Sequence, residues 1–125
     1  MYDHIGLKTK NLDASLRFYR AALEALGYRL GSSDVSGASF VSESGAALYL
    51  SQSPASGVAG SGVHVALSAP DRASVTRFHR NGLEAGGQDN GAPGVRQDYS
   101  PNYFAAFLLD PDGNNIEAVC MLKDN

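Results

Sequence analysis

The chain is poor in cysteine, in long apolar runs and in excess charge of either sign, and each shortage excludes a class of protein. Cys120 is the only cysteine, so no disulfide can form within the chain. No apolar run approaches the ~20 residues that span a bilayer, and the first residues lack the basic and apolar regions of a signal peptide. The formal net charge of −3, with acids and bases interspersed, gives no electrostatic attraction for nucleic acid. We therefore expect a soluble, cytoplasmic protein with neither a nucleic-acid nor a membrane partner.

What the chain does contain is an internal repeat at a spacing of 60 residues. His4-Ile-Gly-Leu7 returns as His64-Val-Ala-Leu67. A second matching stretch follows in each copy: Phe18, Arg20, Leu23, Glu24, Ala25 and Gly27 return as Phe78, Arg80, Leu83, Glu84, Ala85 and Gly87. At 125 residues the chain has the length of one ordinary domain. We predict a single domain, residues 1–125, in which module one (1–52) and module two (62–122) are joined by a flexible linker at 53–61.

Each module has the pattern of a strand, a helix and then further strands. Module one offers an alternating strand at 2–8, a helix capped within Asn11 to Asp13 and ended by Gly27, and short β-prone stretches at 28–31, 37–42 and 45–52. Module two offers a strand at 62–68, a helix opened by Pro70-Asp71 and closed by Gly86-Gly87, a long loop at 89–98, and strands at 103–109 and 115–120 joined by the turn Asp110-Pro-Asp-Gly113.

Side chains alternate between two faces along each strand. The apolar face, which we expect to pack under the helices, is formed by Ile5, Leu7, Val63, Val65, Leu67, Ile116, Ala118 and Cys120. The opposite face carries His4, His64 and Glu117. If Asp110 pairs with Asn114 in the last hairpin, Glu117 lies opposite Phe107, and Tyr103, Ala105 and Phe107 line the cleft side.

The second module contains two further groups of polar residues. The 89–98 loop is longer than most connections in a compact domain, and such loops are disproportionately functional, so Arg96 and Asp98 are candidates there. His79 lies in the second helix, at the position equivalent to Tyr19, and we expect a partly exposed residue without a role.

The chain resembles the vicinal oxygen chelate superfamily, which includes glyoxalase I, fosfomycin-resistance thiol transferases, extradiol dioxygenases and bleomycin-resistance proteins. The resemblance rests on four segments: His4-Ile-Gly-Leu, Ser15-Leu-Arg-Phe-Tyr19, Val63-His-Val-Ala-Leu and Leu109-Asp-Pro-Asp-Gly-Asn-Asn-Ile-Glu-Ala-Val119. It implies an α+β fold in which two βαβββ modules, in a pseudo-two-fold arrangement, form an open half-barrel cleft. It also implies a divalent metal held by His4, His64 and Glu117, and a homodimer whose partner often completes the cleft.

The chemistry of this ligand set agrees with the resemblance. Two neutral imidazoles and one carboxylate leave coordination positions open, and a substrate with two adjacent oxygens could occupy them. The metal would act as a Lewis acid, with Mn, Fe, Zn, Co and Ni all compatible. A lone strand histidine is more often structural, but two at repeat-equivalent positions favour a site. We assign Glu117 a catalytic role as well, and expect Tyr49, Tyr103, Phe107 and Arg96 to line the substrate pocket.

The chain also departs from the familiar members of the superfamily. Aligning Gly45 with Gly113 makes Tyr49 the counterpart of Glu117, where glyoxalase I has a fourth protein ligand. Gly6 and Phe107 replace a threonine and a tyrosine of the fosfomycin transferases, and the further histidine of extradiol dioxygenases has no clear candidate. The leading hypothesis is a small metal-dependent lyase, isomerase, transferase or dioxygenase. The alternatives are a metal-free drug- or metabolite-binding protein and an accessory domain with a vestigial site.

Overall fold

The computed structural model describes residues 2–54 and 62–122, and this part of the chain folds as two βαβββ units. Most of the linker predicted at 53–61 lies outside the described residues. The first unit consists of β1 (His4–Thr9), α1 (Leu12–Glu24), β2 (Arg29–Ser33), β3 (Gly37–Val41) and β4 (Ala47–Gln52). The second consists of β5 (His64–Ser68), α2 (Arg72–Glu84), β6 (Gln88–Val95), β7 (Phe104–Leu109) and β8 (Asn115–Cys120).

The two units share one strand topology. Their four-stranded sheets have the orders β1-β4-β3-β2 and β5-β8-β7-β6, and in each the first strand pairs in parallel with the last while the other neighbours are antiparallel. Over the described residues the sheets remain separate and form no closed barrel. The predicted α+β fold of two related βαβββ modules is therefore confirmed.

Both helices begin and end where the sequence predicts. The Asn11 side chain accepts a hydrogen bond from the Ala14 amide, and that of Asp71 accepts one from the Ser74 amide, which satisfies backbone donors at each N-terminus. Gly27, after α1, has a φ of 89°, a left-handed conformation that glycine adopts without steric cost. No helix in the described ranges is long and apolar enough to cross a membrane.

The prediction of a loop at 89–98 is wrong, because most of this segment forms the strand β6. Its glycines and Pro93 gave the pattern of a loop, but β6 is an edge strand, where a residue without an amide donor is tolerated. The pairing of β6 with β7 shifts register on both sides of Gly91, as irregular edge strands often do.

The core lies between the helices and the sheets. α1 and α2 pack against each other, and each covers one face of its own sheet. The expected apolar positions Leu7, Val65, Leu67, Ile116, Ala118 and Cys120 are buried, and Ile5 is partly buried. Val63 differs, with 37% of its surface exposed, because it precedes β5 and contributes backbone hydrogen bonds rather than packing.

A buried carboxylate, Asp110, joins the two modules. It accepts hydrogen bonds from the Tyr19 hydroxyl of α1 and from the side-chain and backbone nitrogens of Asn114, the latter two at 2.9 Å. The Asp110 amide donates to the Asn114 carbonyl, which confirms the pairing predicted for this hairpin. The Asn114 side chain accepts from the Val63 amide at 3.1 Å and so fixes the start of β5 beside β8. Burial, together with the Asp110 charge, raises the pKa of Tyr19 well above its usual value.

His79 is buried, which corrects the expectation of a partly exposed residue. Its Nε2 lies 2.9 Å from Oδ1 of Asp89, at the start of β6, so the pair connects α2 to the edge strand. The hydrogen bond from His79 lowers the pKa of Asp89. Tyr19, the repeat-equivalent residue, is also buried, and this position faces the core in both helices because the repeat preserves the helix orientation.

The close contact between Gly87 and the Phe18 ring of α1 predicts that Gly87→Ala destabilises the protein. A Cβ at Gly87 would lie 2.4 Å from Cε1 of the fully buried Phe18 ring and 2.9 Å from the Gly82 carbonyl oxygen. We expect the free energy of unfolding to fall by about 1–3 kcal/mol, measured by urea denaturation. Gly6→Ala is the matched control, since its Cβ would meet no atom within 4 Å. Equal stabilities for the two variants would contradict this packing.

Candidate functional site

The centre of the site is a histidine and a glutamate on neighbouring parallel strands. β5 pairs with β8 in a register that aligns Ala66 with Glu117, and His64 is two residues before Ala66 on the same face. Nε2 of His64 lies 2.9 Å from Oε1 of Glu117. Glu117 is 2% exposed, whereas the His64 side chain is 51% exposed, so the pair lies at the floor of an open sheet face.

The second oxygen of Glu117 is held by Tyr103. The Tyr103 hydroxyl donates a hydrogen bond to Oε2, so the two carboxylate oxygens have different partners. Burial, and then this hydrogen bond, raise the pKa of Tyr103 to about 12, so the phenol stays protonated and donates at neutral pH.

His64, Glu117 and Tyr103 form a side-chain cluster. Phe107 and Arg96 extend this cluster across β7 toward β6. Phe107 lies directly opposite Glu117 in the β7–β8 ladder, as predicted, and its ring meets that of His64 edge-on at a centroid distance of 6.3 Å. The Arg96 guanidinium lies over the Phe107 ring, 5.4 Å from its centroid. Asp98, the other residue proposed from this segment, is exposed.

His4 occupies the equivalent position on the other sheet but has different neighbours. β1 pairs with β4 in a register that aligns Gly6 with Tyr49, as Ala66 is aligned with Glu117. Tyr49 is therefore the structural counterpart of Glu117. The His4 ring stacks on the Tyr49 ring, with centroids 4.9 Å apart and the planes inclined by 25°. The His4 side chain is 52% exposed.

The structure thus brings the predicted site residues together in two groups. His64, Glu117, Tyr103, Phe107 and Arg96 form one on the second sheet, while His4 and Tyr49 form another on the first. Within residues 2–54 and 62–122, no three His, Cys, Asp or Glu side chains are grouped to hold a metal ion. A cavity of about 530 Å³ between the modules is lined by residues that include Tyr2, Tyr28, Ala66 and Ser68, and by none of His4, His64 and Glu117.

Two residues near the site were missed from the sequence. Oδ1 of Asp3 lies 2.8 Å from Nδ1 of His4, a contact that leaves Nε2 available as a ligand when Nδ1 carries the proton. The adjacent Asp-His pair was the available signal. Tyr99 contacts the Tyr103 ring edge-on, with centroids 4.8 Å apart. Tyr99 lies in an irregular segment, so its spacing of four residues from Tyr103 gave no comparable signal in the sequence.

Comparison with protein families identifies the fold. The sequence model of the glyoxalase/bleomycin resistance protein/dioxygenase superfamily matches residues 2–118. The chain belongs to this superfamily. The matched range includes the closing Asp110 turn and the two first strands on which the sequence resemblance rested.

Solved structures of superfamily proteins superpose over nearly the whole chain. A glyoxalase/bleomycin resistance protein from Albidiferax ferrireducens is 28% identical, with a TM-score of 0.81 over 96% of this chain and 98% of that one. A superfamily enzyme from Burkholderia phytofirmans, 14% identical, gives 0.74 over 96% and 98%, and a glyoxalase-related enzyme from Fulvimarina pelagi, 20% identical, gives 0.70 over 96% and 87%. The last two show likeness of fold alone. No curated protein matches the chain.

The site geometry predicts a stability cost for Tyr103→Phe in this superfamily member. The variant removes a hydrogen bond to a buried carboxylate, so we expect the free energy of unfolding to fall by about 1–3 kcal/mol, measured by urea denaturation in the presence of a chelator. Tyr99→Phe is the matched control, because Tyr99 is 62% exposed and its hydroxyl bonds to no described residue. The cost should shrink in a Glu117→Gln background. An unchanged cost there would show that the carboxylate is not its source.

Proposed function

We propose that this protein is a divalent-metal-dependent enzyme that acts on a small oxygenated substrate bound through two adjacent oxygens. Membership of the superfamily supports an enzyme of this general kind. The observation that carries the proposal is the His64–Glu117 pair, an imidazole and a carboxylate held together at the floor of an open sheet face. The reaction would be of the lyase, isomerase, transferase or dioxygenase type.

The spacing of the pair fits a shared metal ion. Two donors about 2.0–2.2 Å from one ion and roughly at right angles are separated by about 3 Å. Nε2 of His64 and Oε1 of Glu117 are 2.9 Å apart. One nitrogen and one carboxylate oxygen, with a further imidazole, suit Mn, Fe, Zn, Co or Ni. The ion would supply Lewis acidity toward the two substrate oxygens.

Two of the three proposed ligands have a hydrogen-bonded neighbour outside the proposed ligand set. Tyr103 holds Oε2 of Glu117 and leaves Oε1 on the His64 side, and Asp3 holds Nδ1 of His4. Such outer hydrogen bonds fix ligand orientation and tune ligand basicity. Glu117 is also the proposed catalytic residue, because its carboxylate would touch a substrate chelated there. Tyr49, beside His4, is a proposed pocket residue.

We further propose that the complete site forms in a homodimer, with His4 of one protomer meeting His64 and Glu117 of the other. Two observations support a shared site. His4 and the His64–Glu117 pair belong to different sheets, and both histidines lie on open faces that the helices leave uncovered. A twofold dimer would bring these faces together twice, because one contact implies its symmetry mate.

A metal-free binding protein is the second candidate, and one observation favours it. Both oxygens of Glu117 already have hydrogen-bond partners within the chain, His64 and Tyr103. A satisfied buried carboxylate needs no cation, so the same open face could bind a drug or metabolite through its aromatic walls.

A mixing experiment separates these possibilities. His4→Ala and Glu117→Ala proteins, each loaded with Mn²⁺ and freed of excess by gel filtration, should retain far less metal than the wild type, measured by mass spectrometry. After the two variants are unfolded and refolded together, half of the dimers should be mixed, and each should hold one intact site. The mixture should then recover roughly a quarter of wild-type metal.

Lys8→Ala, on the same exposed face of β1 as His4, is the control and should retain metal as the wild type does. A mixture that recovers nothing would contradict the shared site. Full metal retention by His4→Ala would remove His4 from the ligand set. Wild-type protein that retains no divalent metal would contradict the enzyme proposal and favour the metal-free candidate.

A further inference from the structure

Arg96 places a positive charge on the same side of the second sheet as the proposed metal ligands. Its guanidinium lies over Phe107, which is the direct partner of Glu117 in the β7–β8 ladder. Gly91, on the far side of Phe107, is paired with it in the β6–β7 ladder. The guanidinium is therefore one strand away from Glu117, at the β6 edge of the face that carries the His64–Glu117 pair.

Backbone groups around the Arg96 guanidinium hold it in position. The Arg96 amide donates to the Tyr103 carbonyl at 2.7 Å, and Nη2 donates to the Ala92 carbonyl at 2.7 Å. A Cβ at Gly91 would lie 3.2 Å from Nη2, and one at Gly94 would lie 3.1 Å from Nη1. Glycine at both positions thus gives the planar group room against the ring, where a guanidinium stacks favourably.

The charge of Arg96 is not neutralised within the described part of the chain. None of the Asp and Glu side chains in residues 2–54 and 62–122 forms an ion pair with it. An arginine has five N–H donors in a fixed fork, and the Ala92 carbonyl uses only some of this capacity. The remaining donors suit an oxyanion, which a guanidinium binds by two parallel hydrogen bonds.

We propose that Arg96 is an anion-binding subsite, so that the substrate carries a carboxylate or phosphate-type group in addition to the two oxygens that chelate the metal. The part of this proposal that has the substrate chelate a metal rests on the proposed function. The anion-binding subsite itself depends only on Arg96 and its surroundings. The enzyme would thereby select dianionic or longer anionic substrates over small neutral ones.

The first test uses metal-free protein, so that it does not depend on the metal site. Inorganic phosphate is titrated into wild type, Arg96→Gln and Arg80→Gln in the presence of a chelator, and binding is followed by calorimetry and by the arginine Nε–H signals in NMR spectra. Arg96→Gln should weaken phosphate binding by about tenfold or more. Arg80→Gln, which removes the same charge from an exposed helix position, should not. Equal binding by wild type and Arg96→Gln, or none by either, would overturn the subsite.

The second test uses Mn²⁺-loaded protein and two hydroxy acids that offer the metal the same chelating oxygens. Malate carries an additional carboxylate that glycolate lacks. Wild type and Arg80→Gln should prefer malate, and Arg96→Gln should lose that preference, because its malate affinity falls by a larger factor than its glycolate affinity. A preference retained by Arg96→Gln would overturn the proposal. If the wild type binds no metal, the proposed function fails, and the phosphate titration still decides the role of Arg96.

Discussion

The buried carboxylate of Asp110 is the contact on which the arrangement of the molecule depends. It receives a hydrogen bond from Tyr19 of the first module, and Asn114 links it to Val63 at the start of β5. Removing a donor from a buried charged acceptor is costly, so this network strongly favours one relative position of the helix, the hairpin and the strand. The position of His64 beside the β8 glutamate follows from it, because His64 is the residue after Val63.

The two modules share a scaffold but differ where chemistry is expected. Each presents a histidine at the same point of its first strand, yet His64 meets the Glu117 carboxylate while His4 stacks on Tyr49. Each module alone has too few of the proposed ligands for a three-ligand site: the second has an imidazole and a carboxylate, and the first a single imidazole. This division is what makes a site between protomers chemically reasonable. Arg96, the proposed anion-binding residue, also belongs to the second module.

The sequence predicted local structure better than long-range arrangement. The turn at 110–113 fixes the register of the last hairpin, so the residue opposite Glu117 could be named in advance. The strand β6 could not be predicted, because Pro93 and its neighbouring glycines also suit a loop. Only the edge position in the sheet makes these residues acceptable in a strand. The burial of His79 could have been foreseen from its repeat partner. The separation of His4 from the second sheet could not be foreseen, because it follows from helix packing between residues far apart in sequence.

The most direct test of a metal shared between His4, His64 and Glu117 is the position of the ion itself. Crystals of the Mn²⁺-loaded protein, measured where manganese scatters anomalously, should show a peak bonded to His64 and Glu117 of one protomer and to His4 of its twofold mate. Fully loaded crystals whose only manganese peak lies away from the His64–Glu117 pair, or whose peak there lacks His4, would contradict the account.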